Sequence, residues 1–147
     1  MRHTVDYYLA PQSPWTYLGH LRFWDIARKH GALIEVLPVD LGGKVFPVSG
    51  GLPLGKRAPQ RQAYRLLEMK RFSEHLHAPL NVTPKFFPVA GDDAAKLIIA
   101  VAQHDGADAA MHITDAVLRA VWVEERNIAD EATLAALLTE RELPARR

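Results

Sequence analysis

Val5 to Leu9 gathers the β-forming residues Val5, Tyr7 and Tyr8 and is closed by Ala10-Pro11, which predicts a strand. Ser13-Pro14 then reads as a helix start, with a hydroxyl at the N-cap and proline at the first helical position. From Pro14 to about His30, Trp15, Leu18, Leu21, Phe23, Trp24 and Ile26 supply an apolar face, and Gly31 stops the helix. Leu33 to Val39 predicts a second strand. The order strand, helix, short loop, strand is a βαβ unit, expected to have parallel strands and a right-handed crossover.

The pattern then changes. Asp40 to Ala58 carries Gly42-Gly43, Gly50-Gly51, Pro47 and Pro53 and predicts a long loop of the kind that carries function. Pro59 opens a helix to about His77, with Tyr64, Leu67 and Met69 inward and Arg61, Arg65, Lys70 and Arg71 on other faces. A segment punctuated by Pro79, Pro84 and Pro88 follows. Asp92 reads as the cap of a helix from Asp93 to His104 that is apolar nearly all round and so expected to be buried. Asp108 opens a helix to about Arg126, and Asp130 caps a last one from Glu131 to Arg141. The expected count is two strands against five helices, with no internal repeat.

Composition narrows the function classes. The chain has 147 residues, 48% of them hydrophobic, enough for one sizeable core in a single domain. Lys and Arg total 18 against 17 Asp and Glu, a net charge of +1, so no global field favours nucleic acid or an anionic membrane. Lys56-Arg57 and Arg146-Arg147 are basic clusters too short to alter that. The first residues lack the apolar stretch of a signal peptide, and the longest apolar run, Leu97 to Ala102, is far shorter than a membrane span. There is no cysteine, which excludes structural disulfides, cysteine-ligated zinc and thiol catalysis by the protein's own side chains. The expected location is the cytoplasm.

Other motifs weaken on inspection. Gly50-x-x-x-x-Gly55-Lys56 matches part of a phosphate-binding loop, but Arg57 replaces the Ser or Thr that holds magnesium, and Pro53 and Pro59 interrupt the loop and its helix. His75-x-His77 lacks a third ligand at usable spacing, so no metal site is expected. No Gly-x-Ser-x-Gly elbow supports a hydrolase.

Asp6-Tyr7-Tyr8 ahead of Ser13-Pro14-Trp15-Thr16-Tyr17-Leu18 resembles the opening of 2-hydroxychromene-2-carboxylate isomerases. These belong to the DsbA-like branch of the thioredoxin superfamily and are related to kappa-class glutathione transferases. Pro59-Gln60-Arg61-Gln62-Ala63-Tyr64, Lys70-Arg71-Phe72, Phe87-Pro88 with Ala94-Ala95-Lys96, and Ala120-Val121-Trp122 ahead of Asn127-Ile128-Ala129-Asp130 are also similar, in the same order. Two positions depart from the family: Glu68 stands where an Asp is usual, and about Gly55 where an Asn is usual.

The resemblance implies an α/β fold: a single thioredoxin-like domain over 1–147, with a large α-helical insertion at about 59–141. It also implies a C-terminal strand–strand–helix, containing a cis-proline, that is missing here because the sequence stops at Arg147. On that expectation the strand at Val5–Leu9 has a free edge and the chain self-associates as a homodimer.

The implied chemistry centres on Ser13. In redox relatives a Cys-x-x-Cys occupies this helix start, where N–H groups and the dipole stabilise a thiolate. Ser13-Pro14-Trp15-Thr16 cannot form a disulfide, but the hydroxyl can hydrogen-bond the thiolate of bound glutathione, whose pKa starts near about 8.5. Ser13 is therefore the expected catalytic residue, and Ser13, Pro14, Trp15, Lys56, Arg57 and Glu68 the expected glutathione-binding set. Three of these have plainer readings: Ser13 as an N-cap worth about 1 kcal/mol, and Lys56 and Arg57 as part of a solvated charged loop. Of Trp15, Tyr17, Trp24 and Trp122, only Trp15 is expected in a pocket. The expected activity is glutathione-dependent isomerisation of 2-hydroxychromene-2-carboxylate or a similar aromatic keto acid. A kappa-like transferase, or a non-catalytic truncated remnant or binding module, are the alternatives.

Overall fold

In the computed structural model, residues 1–144 are described, and the Arg146-Arg147 cluster lies outside them. Strand β1 (Thr4–Leu9) leads into helix α1 (Pro14–Lys29), whose Ser13 cap accepts a hydrogen bond from the Thr16 amide. Gly31, at φ +64°, turns the chain in a conformation that favours glycine, and strand β2 (Leu33–Pro38) returns parallel to β1.

The register pairs Val5 with Ile34, Tyr7 with Val36 and Tyr8 with Leu37. Side chains alternate along each strand, so Ile34, Val36 and Leu9 enter the core while Tyr8 and Leu33 stay exposed on the opposite face. Only these two strands form the sheet among the described residues.

The stretch read as a loop, 40–58, is a chain of short turns. Asp40 accepts from the Gly43 amide and starts a π-turn (Leu41–Val45), followed by α2 (Phe46–Ser49) and a 3-10 turn at Leu54–Lys56. Four helices follow: α3 (Pro59–Leu76), α4 (Asp92–Asp105), α5 (Ala107–Trp122) and α6 (Glu131–Glu140). Asp130 caps α6 as expected, accepting from Thr133 N at 3.0 Å. Asp92, in contrast, is the first residue of α4, and Gly91 takes the cap position. Any side chain at Gly91 would place its Cβ 2.4 Å from Gln12 Oε1, so only glycine fits there without displacing Gln12.

Helix α5 is the centre of the molecule. Met111, Ile113, Val117, Leu118, Val121 and Trp122 are at most 1% exposed, and α1, α4, α6 and β2 pack around it. Three sequence expectations are corrected here. Helix α4 buries only the Ala94, Ile98 and Val101 stripe, while α5 is the helix buried nearly all round. On α1, Trp15, Leu21 and Ile26 are exposed and His20 is buried instead. On α3, Tyr64 and Leu67 face solvent and only Met69 reaches the core. The common cause is that, among the helices and strands, α3 packs chiefly against α1, so one narrow stripe suffices, whereas α5 is surrounded.

His20 is tolerated inside because both ring nitrogens are partnered, Nδ1 with the Tyr7 hydroxyl at 2.9 Å and Nε2 with the Met111 carbonyl at 3.0 Å. Burial lowers its pKa from 6.5, against the opposing pull of the Met111 carbonyl and Asp115. The same desolvation pushes Tyr7 up to about 12. Among the described residues, no helix is long and apolar enough to cross a membrane.

Candidate functional site

The start of α1 and the outer face of α3 meet around Trp15. The indole, 40% exposed, stands edge-on to Phe72 of α3 with ring centroids 6.0 Å apart. Beside it opens a cleft of about 470 Å³ lined by Trp15, Arg57, Gln60, Arg61, Tyr64, Arg65 and Glu68. Its α3 wall follows from helix geometry: residues four apart lie above one another, giving the rows Arg61–Arg65 and Gln60–Tyr64–Glu68. Arg57 lies outside α3, in extended backbone two residues before the helix, and joins this wall of the cleft. Its conformation is held by Nε donating to the Leu52 carbonyl at 3.0 Å and by its own carbonyl accepting from Gln62 Nε2 at 2.8 Å.

Three guanidinium groups thus share one wall. Among the described residues none of them forms an ion pair. Partial burial and the neighbouring charge of Arg57 lower the pKa of Arg65, whose guanidinium also lies 5.5 Å from the Phe87 ring centre. Like charges held together without carboxylate partners make a ready site for an anion, most favourably a carboxylate taken by both arms of one guanidinium.

Ser13 sits two residues before Trp15, half-buried at the α1 N-terminus. Its Oγ accepts from Thr16 N at 3.2 Å. The cap uses a lone pair, so the hydroxyl hydrogen remains free to donate to an external acceptor. Pro14 is buried at the first position of α1.

The structure therefore gathers Trp15, Arg57 and Glu68 around one cleft, with Ser13 adjacent in the chain. Lys56 is exposed at the end of the 3-10 turn and does not line it. Arg61, Arg65 and Tyr64 are cleft residues that the sequence reading assigned to other roles. Their signal was the four-residue spacing within α3, Arg61 to Arg65 and Gln60 to Tyr64 to Glu68.

Residues 4–146 match the DSBA-like thioredoxin domain family, and the chain belongs to it. The chain is 23% identical over 113 residues to 2-hydroxychromene-2-carboxylate isomerase from Sphingobium xenophagum, an alignment covering 71% of this chain and 58% of that protein. The chain thus spans little more than half the length of that curated relative. Among solved structures, a 2-hydroxychromene-2-carboxylate isomerase superposes with a TM-score of 0.72 at 20% identity, over 97% of this chain and 67% of its own. A candidate protein disulfide isomerase from Nitrosomonas europaea gives 0.70 at 17% identity, over 99% and 67%. At such identities these likenesses establish the fold.

Proposed function

We propose that this protein is a glutathione-dependent isomerase-like enzyme acting on 2-hydroxychromene-2-carboxylate or a similar aromatic keto acid. The observation that carries the reading is the pairing of a free hydroxyl donor at the α1 N-terminus with an adjacent aromatic cleft bearing three unpaired guanidinium groups. The residues suit glutathione: its two carboxylates match the arginine wall, and its sulfur suits a hydroxyl donor beside a helix N-terminus. When bound, glutathione supplies the nucleophilic thiolate that the cysteine-free chain lacks.

The chain's own residues then have distinct tasks. Ser13 donates a hydrogen bond that favours the anionic sulfur, and Trp15 covers the mouth of the cleft. Arg57, Arg61 and Arg65 hold carboxylates and orient the aromatic acid against Trp15 and Tyr64. Glu68 suits a cationic group such as the glutathione ammonium. A cytoplasmic setting accompanies this reading, because glutathione is kept reduced there and no disulfide is needed.

Turnover of a hydroxychromene carboxylate with added glutathione tests the proposal directly. Ser13→Ala is expected to lower the rate about 100-fold, in the range for losing one donor to an anion, against about 1 kcal/mol of stability for the cap. Unchanged turnover with a lowered Tm would leave Ser13 as a cap only. Activity restricted to a generic electrophile such as a halonitrobenzene would replace the isomerase reading with a transferase one. Insulin reduction without added thiol is expected to stay at background.

A further inference from the structure

Helix α3 is lined on two sides. At about 100° per residue, Gln60, Arg61, Tyr64 and Glu68 fall on the side that walls the cleft, and Gln62, Ala63 and Leu66 fall on the opposite one. There a second groove, of about 280 Å³, runs between α3, the 3-10 turn and the segment 82–88. Its walls are mostly apolar, with Leu54, Leu66, Val82 and Phe87 among them. Arg65 falls between the two sides of the helix and lines both hollows. Its guanidinium lies 5.5 Å from the ring centre of Phe87, which lines the groove and not the cleft. Among the described residues Arg65 is the one charged group lining the groove, and it forms no ion pair.

We propose that this groove binds a small apolar monocarboxylate, with its ring or branched body against Leu66, Val82 and Phe87 and its carboxylate on Arg65. The charge selects the head group. Arg65 is half-buried, and that burial together with the charge of Arg57 disfavours its cationic form, an imbalance that a bound carboxylate corrects. With no carboxylate partner in the described chain, its N–H fork is available for a bidentate acid. The walls select the body. Apolar cavities of about 150 Å³ already admit benzene, so the groove has room for one ring. A second carboxylate would be set against apolar walls with no cation to meet it, which disfavours diacids. The site is independent of glutathione and of the isomerase reading, since it uses neither Ser13 nor Trp15. The same guanidinium lines the cleft, so a filled groove leaves only Arg57 and Arg61 free there.

Benzoate titrated into the isotope-labelled 147-residue chain, followed by amide chemical shifts, tests the site. The amides of Val82, Thr83 and Phe87, which line the groove and not the cleft, are expected to shift. The dissociation constant should be about 1 mM, in keeping with so small a ligand. Benzyl alcohol, the ring without the charge, and acetate, the charge without the ring, should each bind about tenfold more weakly. Arg65→Met removes the cation, and Ala63→Phe, at an exposed position, puts a ring into the groove. Each should weaken benzoate about tenfold, while Arg61→Ala leaves it unchanged. Shifts confined to the surroundings of Trp15 and Arg61 would overturn the proposal, as would benzyl alcohol binding as tightly as benzoate. So would an Arg65→Met or Ala63→Phe chain that keeps a folded spectrum and the original affinity. An absence of any shift at tens of millimolar benzoate would end it outright.

Discussion

Helices α3 and α5 are nearly equal in length, 18 and 16 residues, yet eleven residues of α5 are buried and one of α3 is. They divide the work of the fold. Helix α5 is packed by α1, α4, α6 and β2, and two of its buried polar side chains are partnered in place: Thr114 donates to the Ala110 carbonyl at 2.7 Å, and Asp115 pairs with Arg141 at 2.7 Å. The Trp122 indole N–H is buried without a hydrogen-bond partner among the described residues. Helix α3 rests on α1 along the Met69 side and leaves its remaining surface to solvent and to the cleft. Burial concentrates in α5, while α3 leaves most of its surface to solvent and to the cleft. Apart from Met69, the residues of α3 are exposed or half-buried, so most substitutions there are expected to cost little in folding.

That division can be broken deliberately. Trp122→Ala at the end of α5 removes a fully buried ring that packs 4.8 Å from Phe87. It is expected to cost about 3–5 kcal/mol, read as a lowered urea midpoint. A loss below about 1 kcal/mol would mean that α5 is not the centre of the core.

The buried His20 sharpens the same contrast through pH. Its folded pKa lies below that of the unfolded chain, about 6.5, so the unfolded state binds more protons between the two values. The contribution of the neutral ring is fully present above pH 6.5. It is lost progressively as the pH falls from there towards the folded pKa. Urea midpoints at pH 7.5 and 5 should differ more for the wild type than for His20→Gln.

The smallest effect on folding belongs to α3. Arg61→Ala should change stability by less than about 0.5 kcal/mol. It should also weaken binding of a carboxylate ligand about tenfold, the lower end for a charge-assisted hydrogen bond. A drop in Tm comparable to that of Trp122→Ala would erase the distinction between the two helices.

How much of this was legible in the chain follows the range of the forces involved. Ser13 and Asp130 were readable as caps because capping is settled within three residues, and both accept the expected amide. The parallel pairing of β1 and β2 followed from the connection between them. Which of α4 and α5 would be central was not readable. Asp115 counts as polar in any local pattern, and only the distant Arg141 makes its burial acceptable. His20 was invisible for the same reason, since its partners are Tyr7 on β1 and Met111 on α5. At the site, the Ser13-Pro14-Trp15 start was local and readable. The arginine wall needed the knowledge that α3 stands beside Trp15.

Three tryptophans occupy three different settings. Trp122 is sealed in the core, Trp24 is buried with Arg28 4.8 Å from its ring centre, and Trp15 stands 40% exposed at the mouth of the arginine cleft. The molecule therefore carries its own spectroscopic probe. The red edge of its fluorescence is expected to come from Trp15, the most exposed indole and the one an iodide quencher should reach. An occupant of the cleft would be expected to shield that emission while the blue component from Trp122 stays constant. Unfolding moves the blue component instead, so one emission spectrum separates ligand arrival from loss of the core without any label being attached.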